Sequence, residues 1–381
     1  MGATFITGLE LAKLFYTEAV RPVLDAECPG LAHSAALIGW GSEVLGLDSP
    51  RSTDHNWGPR LQIFLTDEAA PEAGRVSELL AARLPDEFRG YPVSFPASTD
   101  DGMQARTHWV TVAGLRSWLT EVVGFDPAAQ ISLLDWLSVP TQVLAEVTGG
   151  AVFHDGLTVS DNGLTVSRDD LAGDGSWPAG GGALTAARAA LAWYPHDIWL
   201  YIMACQWQRI SQEEAFPGRC AEAGDELGSA LIAARLVRDL IRLVLIVQRR
   251  YPPYSKWLGS AFARTAAAGD LSPLLIAALT ATTWPDRERS LAAAYEAVGR
   301  LHNAVAVTPH VDPAVRPTYY DRPYRVMEAG RFVHALREQI SDERIRALPL
   351  IGAADQFVDS TDAIGSKALL RAAVATELAG D

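Results

Sequence analysis

Ala35-Ala36-Leu37-Ile38-Gly39-Trp40-Gly41-Ser42 and, after eleven intervening residues, Asp54-His55-Asn56-Trp57-Gly58-Pro59-Arg60-Leu61-Gln62-Ile63-Phe64-Leu65 form the segment on which the fold turns. Each half holds a short apolar run of strand length, Ala35–Ile38 bounded by glycine and Leu61–Leu65 behind a Gly-Pro pair,. Periodicity alone leaves a helix open for the first of them. A Gly-Ser turn at a strand end brings backbone N–H groups and a hydroxyl within reach of an anion, because glycine has no side chain to hold it off. With Asp54 at the entry to the second strand, residues 54 and 56 share one face, since strand side chains alternate. His55 then faces away from Asp54 and is expected as a core or interface histidine.

Outward from this segment the text alternates. Thr7-Gly8-Leu9-Glu10 has the spacing of a capping box and opens a predicted helix over 7–24,. Val76, Leu79, Leu80 and Leu84 recur at helical spacing, strands are expected at Tyr91–Phe95 and His108–Val112, and a helix runs through Leu115, Trp118, Leu119 and Val122,. Residues 1–150 therefore read as one domain that mixes α and β. Asp155-Gly156, Asn162-Gly163 and Gly180-Gly181-Gly182 mark 151–185 as a Gly-rich linker,. From 186 to 381 the chain is expected to be an α-helical domain, with helices at Ala187–Ala192, Asp197–Glu214, Asp225–Arg250, Leu274–Thr283, Asp286–Val305 and Arg325–Ile340. An irregular tail follows from Ser341. The fold class expected is α+β, a mixed sheet followed by a helical bundle.

The chain has 381 residues, enough for two domains,. Lys plus Arg is 32 and Asp plus Glu is 46, a net charge of −14, which argues against broad attraction to nucleic acid or an anionic membrane,. Cys28, Cys205 and Cys220 form no C-x-x-C pair, so neither a disulfide framework nor a structural zinc site is suggested,. A histidine-based metal site is not expected either. No apolar run approaches the roughly 18 residues of a membrane span, and a cytoplasmic protein is expected. A homodimer is left open.

The Gly-Ser, variable loop, Asp-x-Asn series resembles the pattern of Gly-Ser followed by Asp-x-Asp in the nucleotidyltransferase superfamily. The whole chain is similar to the DUF4037 domain-containing, nucleotidyltransferase-like proteins, through Trp193-Tyr194-Pro195, Gly224-Asp225-Glu226-Leu227-Gly228-Ser229, Arg249-Arg250-Tyr251-Pro252-Pro253-Tyr254-Ser255-Lys256-Trp257-Leu258 and Arg322-Pro323 as well. The resemblance implies a mixed-sheet catalytic domain and a helical domain that closes a cleft, distantly as in aminoglycoside nucleotidyltransferases. It implies transfer of a nucleoside monophosphate from an NTP, with magnesium, to a small-molecule acceptor. On that reading Gly41 and Ser42 cradle phosphate and Asp54 with Asn56 holds the ion. Arg51, Arg60 and Lys256 contact the nucleotide, and Asp225 or Glu226 acts as base. The departure from the pattern is Asn56, which carries no charge where the superfamily has a second carboxylate, and the later strand candidates contain no acid.

Plainer roles stand beside these. Asp225 and Glu226 fit as first-turn acids of a helix, and Glu213-Glu214 as a solvated face. Arg235, Arg238 and Arg242 lie on one helical stripe, either as an ion-paired surface or as the wall of an anion site. Trp199 and Trp207 read mainly as core. Two other functions remain open: a non-catalytic nucleotide or metabolite sensor, which Asn56 motivates, and a metal-independent enzyme acting on an anionic small molecule.

Overall fold

A computed structural model of the chain describes residues 5–54, 56–96, 106–160, 165–167 and 182–379. His55, Asn162-Gly163 and Gly180-Gly181 lie outside the described residues. Contacts divide the chain into two compact units, Met1–Ile131 with Val143–Ala192, and Ser132–Gln142 with Trp193–Asp381.

The first unit is built on a mixed five-stranded sheet in the order Ser94–Pro96, Arg106–Gly114, Arg60–Leu65, His33–Leu37, Ala151–Asp155. His33–Leu37 runs antiparallel to both neighbours, whereas Arg60–Leu65 pairs parallel with Arg106–Gly114. Every residue of the two central strands is buried, which is why the sequence there is mainly apolar rather than alternating, with the buried polar residues His33, Ser34, Arg60 and Gln62 each hydrogen-bonded,. The ladder is prolonged by one side chain. The Gln62 amide donates to the Ile38 carbonyl and accepts the Ile38 N–H, both at 3.1 Å, where the first strand ends.

One face of this sheet is covered by the N-terminal helix Gly8–Phe15, which passes through a π turn, Tyr16–Val20, into the helix Arg21–Glu27. Phe15, Val20 and Leu24 pack with Val76 and Leu80 of the helix Ala73–Arg83 over Ile63, Leu65 and Val110. Each such side chain contributes roughly 1.5–3 kcal/mol by leaving water. The expected capping box is corrected: Thr7 has the extended N-cap conformation but its hydroxyl makes no capping bond. A loop carboxylate caps instead, Asp48 Oδ2 accepting the Gly8 N–H at 2.6 Å.

Two further expectations change. Tyr91–Phe95 is not one strand but two, Tyr91–Pro92 and Ser94–Pro96, and prolines, lacking an N–H, confine such strands to an edge or a start,. The linker expected over 151–185 contributes to the first unit. Ala151–Asp155 is a strand of the sheet, and Ala183–Ala190 is a helix held by Asp155, which accepts the N–H and hydroxyl of Thr185 at 2.9 and 2.6 Å. A boundary at 150 would have cut the sheet.

The second unit is helical. Its longer helices are His196–Glu213, Glu226–Val247, Ala268–Thr280, Trp284–Ala304, Gly330–Gln339 and Lys367–Ala379. Trp199 and Trp207 are core. Trp207 stacks on Phe332 at 4.3 Å between ring centroids and donates its Nε1–H to His302 Nδ1 at 3.2 Å. Burial holds the His302 imidazole neutral, its pKa lowered to about 4, which suits it to accept that bond,. The chain is thus α+β, a mixed sheet in the N-terminal region and a helical C-terminal region. Among the described residues no helix is long and apolar enough to cross a membrane.

Candidate functional site

The antiparallel register sets Ala36 opposite Gln62, so the end of His33–Leu37 and the start of Arg60–Leu65 lie at the same end of the sheet. The whole 38–59 connection, with Gly41, Ser42 and Asp54, belongs to that end. It leaves the strand through Gly39 and Gly41, at φ +85° and +131°, backbone that only glycine adopts without strain,. A tight turn follows, the Ser42 carbonyl accepting the Leu47 N–H at 2.7 Å. Gly39 is tied to the helix Thr141–Thr148 by its N–H, which donates to the Glu146 carbonyl at 2.9 Å.

Asp54 is not the entry to a strand. It closes a 3₁₀ turn, Pro50–Asp54, and the strand begins only at Arg60. Asn56 follows in the left-handed region, φ +51°, a conformation asparagine tolerates better than most residues,. The alternation that was to align residues 54 and 56 therefore does not operate. Both side chains are exposed. Arg51, in the same 3₁₀ turn, is exposed too.

Arg60 is corrected as a phosphate ligand. It is buried beneath the connection, its Nε donating to Glu43 Oε1 at 2.6 Å and its Nη2 to the Trp40 carbonyl, while the guanidinium lies 4.0 Å from the Trp40 ring centroid. A guanidinium so placed neutralises Glu43 and stiffens the turn; it has no open face for a ligand. The same packing explains Gly41, since a Cβ there would come 2.2 Å from Arg60 Nη2 and 2.8 Å from Glu43 Oε2.

Three residues of this end were not singled out from the sequence. Trp40 is 55% exposed although large and apolar, with the cation of Arg60 against its ring. Glu43 is the buried partner of Arg60. Glu146 is a half-buried carboxyl whose pKa is pushed up to about 7 by desolvation, against the lowering pull of Arg60. Only Trp40 left a signal, a bulky ring inside a Gly-x-Gly-Ser turn. Asp48 accepts from the Gly8 N–H and from Trp57 Nε1 at 3.2 Å.

In the second unit Asp225 and Glu226, expected as candidate bases or first-turn acids, both have structural partners. Asp225 caps the helix Glu226–Val247, accepting the Gly228 N–H at 2.7 Å. Glu226 accepts from Arg287 Nη1 at 3.0 Å and from the Trp284 N–H at 3.2 Å, and balances a guanidinium that is nearly fully buried. Glu213 pairs with Arg235 at 3.0 Å, and Glu214 is not a solvated face but a buried carboxyl that accepts the N–H groups of Met327 and Ala329. Lys256 is exposed in the 3₁₀ turn Ser255–Trp257, its Nζ 4.8 Å from the Trp257 ring. The arginine stripe is engaged within the unit: Arg238 forks onto Asp359 at 3.0 and 2.6 Å, and Arg242 donates to the Asp355 carbonyl.

Among the described residues no three or more histidine, cysteine, aspartate or glutamate side chains gather to hold a metal ion. The family described as a domain of unknown function, DUF4037, matches residues 172–258. That match covers Asp225, Glu226, the arginine stripe and Lys256, and not the Gly41–Asp54 connection. No curated protein and no solved structure matches the chain.

Proposed function

We propose that the first unit binds a nucleoside triphosphate at the sheet end described above, and that the reaction is transfer of the nucleoside monophosphate to a small-molecule acceptor. The observation that carries this reading is the register of the two central strands, which gathers the Gly41-Ser42 turn and the exposed Asp54 into one connection at one end of the sheet. Turn N–H groups and the Ser42 hydroxyl donate to phosphate oxygens. The open part of the Trp40 ring offers a surface on which a base stacks, worth roughly 1–3 kcal/mol per base in comparable contacts. Glu146, with a pKa of about 7, has the proton affinity a general base needs near neutrality,.

The donor set fits magnesium only as an ion that arrives with the triphosphate. Asp54 supplies one carboxylate and Asn56 a neutral carbonyl, and magnesium is commonly held by one or two carboxylates plus phosphate and water. When bound, the ion neutralises phosphate charge. The acceptor sought is one bearing a hydroxyl or an amine.

The experiment is calorimetry of the four NTPs with and without magnesium, paired with pyrophosphate release, on the wild-type chain and Asp54→Ala. The reading expects magnesium-dependent binding and a release that Asp54→Ala abolishes. Tight binding indifferent to magnesium, with no release, would move the protein to the second reading, a nucleotide-binding protein without transfer. Asn56 and the commitment of Arg60 to Glu43 favour that alternative.

A further inference from the structure

Independently of the nucleotide reading, the second unit contains a small pocket, part of it open to solvent, whose lining includes Thr141, Arg238, Arg242, Ser255, Asp355 and Asp359. Arg238 and Arg242 are four apart on one face of the helix Glu226–Val247, and both line the pocket,. Arg242 reaches the Asp355 carbonyl with Nη1, but its Nε–H is buried and meets no acceptor among the described residues. Leaving such a donor unpaired is unfavourable, the more so for a charged group. The Asp355 carboxylate does not answer it, because it is turned onto Thr141, accepting the hydroxyl at 2.6 Å and the backbone N–H at 3.4 Å.

Asp359 is the other acid of the pocket and has a different character. It is 74% exposed, it lies between the short helices Ala354–Phe357 and Thr361–Gly365, and it docks both oxygens onto Arg238. A pair this exposed is screened by solvent and adds little to stability. A carboxylate so weakly tethered can leave without disturbing the core.

We infer that this pocket is a binding site for a compact oxyanion, the carboxylate or phosphate monoester group of a small molecule, and that Asp359 occupies the anion position until the ligand arrives. The incoming group takes the two-pronged bond from Arg238 that Asp359 gives up and accepts the unpaired Nε–H of Arg242. Ser255 stands in the lining as a hydroxyl donor. No bond is made or broken; the site recognises, and charge stays balanced because one anion replaces another.

The test uses the full chain with nitrogen-15 label and follows arginine Nε–H signals by NMR, that of Arg242 being assigned from its loss in Arg242→Lys. Inorganic phosphate and acetate are titrated separately. Either anion is expected to shift the Arg242 signal, phosphate alone pointing to a phosphate monoester and acetate alone to a carboxylate. Asp359→Asn removes the competing charge and is expected to tighten binding about two- to fivefold. Arg238→Gln should weaken it more than tenfold. Asp359→Asn alters an exposed side chain, so its fold, checked by thermal melting, serves as the control for the arginine variants. The inference is overturned if neither anion moves the Arg242 signal in wild type and Asp359→Asn, or if Asp359→Asn binds no more tightly than wild type.

Discussion

Arg60 Nε lies 2.6 Å from Glu43 Oε1, with the two side chains 5% and 3% exposed, so an ion pair stands under the turn that was read as a phosphate cradle. Removing one member of a buried pair strands the other charge, at a cost of about 3–5 kcal/mol. Glu43→Gln and Arg60→Met are each expected to lose that much in urea unfolding. The double variant should regain part of it, since no lone charge is then left.

Trp40 separates stability from binding. Its ring is mostly in water, so Trp40→Ala should change the unfolding free energy by less than about 1.5 kcal/mol. On the proposed function the same change weakens NTP binding by about ten- to a hundredfold, the equivalent of one stacked base. Calorimetry and urea titration on one preparation check both halves.

On the proposed function, Asn56→Asp adds a second carboxylate beside Asp54. The left-handed backbone at this position accepts aspartate as readily as asparagine, so no strain is added,. Magnesium should then bind the nucleotide complex more tightly and pyrophosphate release should rise. A variant with unchanged magnesium dependence would remove residue 56 from the site.

Asp225→Ala distinguishes a cap from a base. Loss of the bond to the Gly228 N–H should cost about 0.5–2 kcal/mol, and Asp225→Ser should recover most of it,. Nucleotide turnover per folded molecule is expected to be the same in all three proteins.

Burial raises the carboxyls of Glu146 and Glu214 from 4.5 to about 7. Between those values the folded chain holds protons that the unfolded chain has released. Their contribution to stability is therefore fully present below about 4.5 and is lost as pH rises to 7, by about 1.4 kcal/mol per pH unit for each group. His302, lowered to about 4, works in the opposite sense between 6.5 and 4. The difference between wild type and Glu214→Gln isolates one carboxyl: wild type should gain unfolding free energy relative to the variant as pH falls from 7 towards 5,.

What the sequence revealed follows from the range of the forces involved. The runs Ala35–Ile38 and Leu61–Leu65 announced themselves because strands buried on both faces are mainly apolar, and Trp199 and Trp207 because a core helix repeats its large side chains. The DUF4037 similarity, too, was readable from the Asp225–Ser229 and Arg249–Leu258 text, both inside the matched region. The site was harder to read because its contacts are long-range. Nothing near Gly8 signals that Asp48, forty residues away, would cap it. Nothing near Arg60 says that Glu43 would claim it, and nothing in the Gly-rich text after residue 150 shows that Ala151–Asp155 would find an open strand edge. Asp54 and Asn56 misled for a local reason: a strand was assumed to begin six residues before it does.

A Cβ at position 41 would collide with Arg60 and Glu43 whether or not anything ever bound above them. A descendant of this chain that bound no nucleotide would still be compelled to keep the glycine for the sake of the ion pair below. Finding Gly-Ser in a related genome product is therefore a record of architecture first, and surveys that infer turnover from that signature should be weighted by what stands at the positions of Trp40, Asp54 and Asn56.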